Sequence, residues 1–408
     1  MQRSARLFPP CGAERRCGMR RCNLMGAMAL LVLLAAGCEG PAPASPDPAG
    51  AKKGEAAQTK AAAEAVAELG SCKRKVTALE AELSRLERQT KGEAPAAAYR
   101  IINSHEHLMS LENLERYLPV ARAAGIVSTV MVASPRFTLL GKGTEKGEPS
   151  MAANFEVLLE AAKRYPGEII PFAGIDPADP EKLERLKRHV ELGAKGAKLY
   201  SGHSSFYEKP LNDPGMEPVL AYLEQTGLPL CWHINLLQYM DEFAAVMQAH
   251  PRLNVQVPHY GVTFWKPDGI HLKKLREMLR TYPNLYIDTS LGTRQILVDG
   301  IGVMSKHTKI FVDLIKEFPE RVHFGTDGVV TGNPEKNPDW WEKVIMVSRN
   351  QLERDSFNFP MGAGYSRYFH KGLDPSGNYR GLALPADILK KIYEDNPQHW
   401  LAGPRDKG

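Results

Sequence analysis

Arg100-Ile101-Ile102-Asn103-Ser104-His105-Glu106-His107 is the stretch on which the fold turns. A short run containing two β-branched isoleucines, Arg100–Ser104, delivers the chain into two histidines one residue apart. Strand alternation puts both imidazoles on one face and Glu106 on the other. Seven comparable runs follow, Val127–Ala133, Ile169–Ile175, Gly196–Tyr200, Leu230–Ile234, Asn254–Val257, Leu285–Asp288 and Val322–Gly325. Between them lie stretches with helical character, among them Ala152–Tyr165, Glu181–Leu192, Glu217–Thr226, Tyr239–His250, His271–Thr281 and Thr308–Phe318. Several begin after Pro, Asp or Asn and close with Gly or Pro, the expected punctuation. Eight βα units without adjacent hairpin strands predict an α/β chain closed into a TIM-type (β/α)8 barrel over 98–402, rather than a doubly wound sheet.

In such barrels the chemistry sits at the carboxyl ends of the strands. The able side chains fall there: His105 and His107 end the first strand, Lys198 lies in the fourth, His233 ends the fifth, His259 follows the sixth and Asp327 ends the eighth. A lone histidine is usually structural, but four histidines and an aspartate all at strand ends are hard to obtain by accident. Imidazoles joined by a carboxylate suit Zn²⁺, or Mn²⁺ or Fe²⁺.

The set resembles the amidohydrolase superfamily of metal-dependent barrels, in the branch of amidohydrolase-2-type hydrolases and aminocarboxymuconate-semialdehyde-type decarboxylases. The matching residues are the HxH pair His105/His107, His233 in LCWHIN, His259 in VPHYG, Asp327 in HFGTD and the closing Glu394-Asp395-Asn396-Pro397. They span roughly Tyr99 to Leu401. One departure is Asn103, where the family often has Asp. The resemblance implies one divalent metal, Zn first, on His105, His107, His233 and Asp327. It implies Asp327 as the proton acceptor from a metal-activated water, and His259 as partner of that water or of the substrate carbonyl. Lys198 is open between a carboxylated bridge to a second metal, a seat for a substrate carboxylate and a salt-bridged lysine of the barrel lining.

Other polar residues divide between site and scaffold. His203 either reaches the pocket or is solvated, and Arg294 is either a carboxylate fork or a surface group. His323 shares parity with Asp327 and is expected one layer lower in the barrel. Trp232 and Trp265 either line a pocket or pack. Between Gln351 and Leu384, an aromatic and glycine-rich insertion (Phe357, Phe359, Tyr365, Tyr368, Phe369, Tyr379) is either a lid over the barrel mouth or a packed C-terminal decoration.

Composition bounds what surrounds the barrel. The chain has 408 residues, 43% hydrophobic and 24% charged, with a net charge of +5. Residues 1–37 carry six arginines and one glutamate, which accounts for the whole excess. The remainder is neutral, and a nucleic-acid partner loses its electrostatic basis. Behind those arginines, Leu24–Ala36 is apolar and shorter than the roughly 20 residues a transmembrane helix needs. It ends in Leu34-Ala35-Ala36-Gly37-Cys38, which resembles a bacterial lipobox. The resemblance implies a signal peptide over 1–37, lipidation of Cys38, and anchoring to a membrane of the bacterial cell envelope. Residues 38–55 read as a flexible tether and 56–90 as a helical stalk. In the stalk, Leu69, Val76 and Leu83 with Cys72, Leu79 and Leu86 form a/d heptads across 62–86. These suit either a homo-oligomeric coiled coil, with Cys72 placed to bridge two chains, or a solitary amphipathic helix. Cys231 lies in an apolar strand and reads as a buried small hydrophobe.

The leading expectation is therefore a lipid-anchored, metal-dependent hydrolase of small-molecule amide, lactone or ester bonds. A non-oxidative decarboxylase of a small carboxylate uses the same ligands. A cell-envelope scaffold carrying a dead barrel is the third reading.

Overall fold

Eight parallel strands lie side by side in chain order: β1 (Ile101–Glu106), β2 (Ile126–Val132), β3 (Ile169–Ile175), β4 (Gly196–Gly202), β5 (Leu230–Ile234), β6 (Val255–Val257), β7 (Leu285–Asp288) and β8 (Val322–His323). The computed structural model describes residues 99–403 apart from 142, 204, 293 and 360–376, and omits the side chains of residues 294 and 295. The leader, Cys38, the tether and the heptad stalk with Cys72 lie outside the described residues. Among the described residues, no helix is long and apolar enough to cross a membrane.

The sheet closes through the chain beyond β8. Ser104 N–H donates to Phe324 O at 2.8 Å, Asp327 N–H to His105 O at 2.9 Å and Val330 N–H to His107 O at 2.8 Å. Closure therefore stitches the HxH pair directly to the segment carrying Asp327. β1 runs past its expected end at Ser104 to Glu106, so His105 lies within the ladder. β8 is shorter than expected, because the chain bends away toward a left-handed residue at Asp327 (φ 50°).

The barrel interior is a packed core. Val130, Val132, Phe172, Cys231 and Tyr286 fill it, and Trp400 enters from the C-terminal helix Asn396–Ala402. The Trp400 ring lies 5.3 Å from those of both Phe172 and His323. Gly196 is obligatory in this layer, since a Cβ there would sit 2.3 Å from the Phe172 ring. Replacing a fully buried tryptophan leaves a cavity, so Trp400→Ala is expected to cost about 3–5 kcal/mol. A fall in the urea midpoint with an unchanged slope is the measurement that checks it.

Two helices start earlier than the sequence pattern suggests, for local reasons. Glu148–Arg164 begins on extended Gly147 with a proline in its first turn. Leu236–Ala249 begins where the Asn235 side chain accepts from Leu237 N–H at 3.1 Å. The insertion is structured at both ends. Gln351 to Glu353 complete the helix Pro338–Glu353, while β9 (Ser356–Asn358) and β10 (Asn378–Arg380) pair antiparallel. Phe357 stacks on Tyr379 with ring centres 5.7 Å apart, and Phe359 is buried. These aromatics pack into the scaffold. Tyr365, Tyr368 and Phe369 lie outside the described residues.

Candidate active site

Three imidazoles at the barrel mouth are locked in one tautomer by what touches Nδ1. His259 Nδ1 lies 2.8 Å from the Ser290 carbonyl, which can only accept, so the proton is on Nδ1. His105 Nδ1 lies 3.2 Å from the buried Asp288 carboxylate, which imposes the same answer. His107 Nδ1 lies 2.6 Å from Ser134 Oγ, whose own proton is directed to Val132 O at 2.9 Å. All three therefore present an Nε2 lone pair. His203 is the reverse: its Nδ1 accepts from Ser205 N–H at 3.0 Å, leaving Nε2–H as a donor.

Asp327 meets these lone pairs. Its Oδ1 is 2.9 Å from His107 Nε2 and 4.0 Å from His105 Nε2, and its Oδ2 is 3.5 Å from His259 Nε2. Ligand atoms of His105, His259 and Asp327 lie within 4.8 Å of one another. Oδ1 is buried without a hydrogen-bond donor. Acceptors facing acceptors in a buried site repel unless a cation lies between them, so this donor set fits a divalent metal. His233 is not in that group. Its ring packs 4.9 Å from His259 and 4.5 Å from His203.

The turn bearing Asp327 is held from two sides. Val329 also has a positive φ, 57°, and such strain persists only where surroundings impose it. Glu106 accepts from Thr326 Oγ1 (2.6 Å), Gly328 N–H (2.9 Å) and Val329 N–H (2.6 Å), and Lys336 Nζ donates to Gly328 O and Val329 O at 2.9 and 3.1 Å. A Cβ on Gly328 would lie 3.0 Å from Glu106 Oε2, so a side chain there would press on the carboxylate that holds the turn. Glu106 does point away from the imidazoles, as alternation requires, but into a task. Asn103, the departure from the family pattern, bonds Thr326 Oγ1 at 2.7 Å and touches none of the imidazole Nε2 atoms.

A cavity of about 260 Å³ opens over this cluster. It brings together His107, Lys198, His203, His233, His259 and Asp327 under apolar walls that include Phe206, Trp265 and Ile296. Lys198 is fully buried. Its Nζ donates toward His105 Nε2 at 3.0 Å and Cys231 Sγ at 3.4 Å and lies over the Tyr200 ring. No carboxylate of the described residues pairs with it. Trp265 lines the pocket, whereas Trp232 is buried scaffold bonded to Ser201 Oγ. His323 lies lower in the barrel, as expected, but only Nδ1 is satisfied, by Gln256 Oε1. Arg294 opens the helix Arg294–Lys306, and its side chain is outside the described residues.

Burial lowers the histidines, His105, His189 and His203 to about 4 and His323 to about 3, with His107 and His233 also depressed. Burial raises Glu106, against its three donors in the Asp327 turn and the His107 N–H at 2.8 Å, and Glu148 to about 7. Between pH 4 and 6.5 the unfolded chain binds protons that the folded imidazoles refuse, so their contribution to stability grows with pH. The two glutamates act oppositely between 4.5 and 7, but six histidines outweigh them. The melting temperature of the metal-free protein should therefore climb from pH 4.5 to 7; a flat or falling calorimetric profile would refute this.

Several supporting residues were not singled out in the sequence. Asp288 ends β7, so the strand-end rule applied to it as well. Ser134, Ser290 and Tyr200 carry no signal of type or spacing, because their importance lies only in which imidazole they touch.

A parallel barrel with histidines and an aspartate at the carboxyl ends of β1, β5, β6 and β8 defines the class of metal-dependent barrel enzymes. A family model described as amidohydrolase matches residues 63–402, and the chain belongs to that family, a metal-dependent enzyme of the amidohydrolase superfamily. Similar solved structures include a probable 2-pyrone-4,6-dicarboxylic acid hydrolase from Acinetobacter baumannii with citric acid bound, 13% identical, covering 74% of this chain and 99% of that one at a TM-score of 0.51. A 2,6-dihydroxybenzoate decarboxylase from Rhizobium is 16% identical, with 74% and 99% covered and a TM-score of 0.47. The first supports the barrel fold. Among curated proteins, none matches the chain.

Proposed function

We propose that this chain hydrolyses a C–N or C–O bond, in an amide, lactone or ester, of a small molecule, with one divalent ion on His105, His107, His233 and Asp327. Zn²⁺ is the first choice, with Mn²⁺ or Fe²⁺ as alternatives. The observation that carries the reading is the convergence of imidazole lone pairs on a buried carboxylate oxygen that has no donor. A bound ion supplies Lewis acidity, enough to make water a nucleophile near neutral pH. Asp327 takes the proton from water and returns it to the leaving group. His259 Nε2, a lone pair, accepts a hydrogen bond from that water, which favours this role over polarising a carbonyl. His203 Nε2–H is the donor suited to the carbonyl. Phe206, Trp265 and Ile296 surround an apolar substrate body.

Decarboxylation is the second reading, favoured by one observation: the buried Lys198 side chain pairs with no carboxylate among the described residues and can seat one from a substrate. A second metal enters only if Lys198 is carboxylated. The scaffold reading loses its ground in an enzyme family with these residues intact. The proposal includes export, lipid anchoring of Cys38 in the bacterial cell envelope and self-association through the 62–86 heptads. It includes no nucleic-acid partner.

Elemental analysis of the purified protein, followed by assays on lactone, amide, ester and carboxylate panels with CO₂ capture, tests it. About one ion per chain and hydrolysis without CO₂ are expected. Release of CO₂ selects the decarboxylase, and about two ions select a carboxylated Lys198. No ion after reconstitution overturns both.

A further inference from the structure

Asp288 is fully buried and receives five donors. On Oδ2 it takes His105 Nδ1–H at 3.2 Å and Gln256 Nε2–H at 2.9 Å. On Oδ1 it takes His259 N–H at 2.9 Å, Ser290 N–H at 3.0 Å and Ser290 Oγ–H at 2.5 Å. Five donors converging on one buried carboxyl favour its ionised form. Three strands of the barrel thus meet on one side chain.

The chain of bonds has a direction. An ionised carboxylate can only accept, so it dictates every neighbour. It requires Gln256 to present its amide N–H, which turns Gln256 Oε1 toward His323 and requires a proton on His323 Nδ1, 2.5 Å away. It requires a proton on His105 Nδ1 and so leaves the Nε2 lone pair facing the site. Lys198 Nζ, donating toward that Nε2 at 3.0 Å, agrees with this tautomer, and Ser290 Oγ lies 3.3 Å from Nδ1. Asp288 also fixes the backbone that aims His259. His259, Tyr260, Gly261 and Val262 all have positive φ, from 52° to 63°, an arrangement L-residues resist. The His259 N–H bond to Asp288 ties the first residue of that turn to β7.

We infer that Asp288 is the positioning residue of this site, setting the tautomer of His105 and the strained turn that carries His259. Its consequence for metal binding rests on the reading of His105 as a ligand; its consequence for the tautomer does not.

The test is long-range ¹H–¹⁵N NMR on histidine-labelled, metal-free full chain, comparing the wild type with Asp288→Asn. In the wild type His105 is expected as the Nδ1–H tautomer; an Nε2–H tautomer there overturns the inference without any variant. In Asp288→Asn the three donors on Oδ1 keep that atom an oxygen, so the new NH₂ faces His105 and Gln256. Gln256 can flip, and His323, whose Nε2 is unpartnered, can change tautomer in response. The Lys198 ammonium, on a flexible stem, can withdraw. His105 and His323 should therefore both switch to Nε2–H while His107 stays as it was. Gln256→Leu, which leaves Asp288 in place, should leave His105 unswitched; a switch there overturns the inference. Chelator competition on the same variants should show Zn²⁺ bound about 10–100-fold more weakly by Asp288→Asn. A switched tautomer with unchanged affinity upholds the positioning role and overturns His105 as a ligand.

Discussion

Asp327→Asn should lose its metal and at least about 10³-fold in kcat/KM, because one substitution removes both an anionic ligand and the proton acceptor. Asparagine is the informative replacement. Asp327 sits at φ 50°, a conformation that asparagine tolerates better than alanine does, so the turn held by Glu106 and Lys336 survives. The same substitution should stabilise the metal-free protein. In the wild type, Asp327 Oδ1 faces the His107 Nε2 lone pair at 2.9 Å, whereas an amide N–H there would donate to it. One such bond is worth about 1 kcal/mol, or roughly 2 °C in melting temperature for a domain of this size. The expected pattern is thus a higher melting temperature without metal, no further gain on adding Zn²⁺, and no turnover. A metal-loaded, inactive variant would leave Asp327 with the proton transfer alone.

His233→Ala and His259→Ala should fail in different ways. If His233 is the fourth ligand, its removal weakens metal binding by more than about 100-fold, beyond what a lost supporting hydrogen bond costs. His259→Ala should then keep its metal and lose about 10²–10³-fold in kcat, with KM little changed, since the group acts on water rather than on the substrate body. The structure makes the comparison pointed. The cluster within 4.8 Å contains His259, and His233 instead packs its ring between His203 and His259. Metal content measured on both variants decides the matter: metal lost from His259→Ala and retained by His233→Ala would transfer the ligand role.

The alternation of β-branched runs with helical stretches was enough to predict the barrel, because both periods are local properties of the chain. Topology did the rest: parallel strands in a closed barrel bring all their carboxyl ends to one mouth, so His105, His107, Lys198, His233, His259 and Asp327 could be named together from position alone. Five of them line one cavity, and His105 touches two of those five, Lys198 and Asp327. Helix starts were misjudged where a cap such as Asn235 begins the helix before its apolar pattern does. At the flanks of the insertion the sequence left lid and packed decoration open, because aromatics suit both; there Phe359 and Tyr379 are buried.

What no reading of the chain could supply is how each side chain is turned. The tautomer of His105 depends on Asp288, that of His107 on Ser134 and that of His259 on Ser290; pairing of neighbouring strands brings the two serines within reach, and only barrel closure brings Asp288 of β7 to β1. Composition and spacing state which groups reach the mouth; the angular order of the strands decides which lone pairs meet there. Glu106 shows the same division: alternation turned it correctly away from the imidazoles, and only the fold gave it the turn of Asp327 to hold.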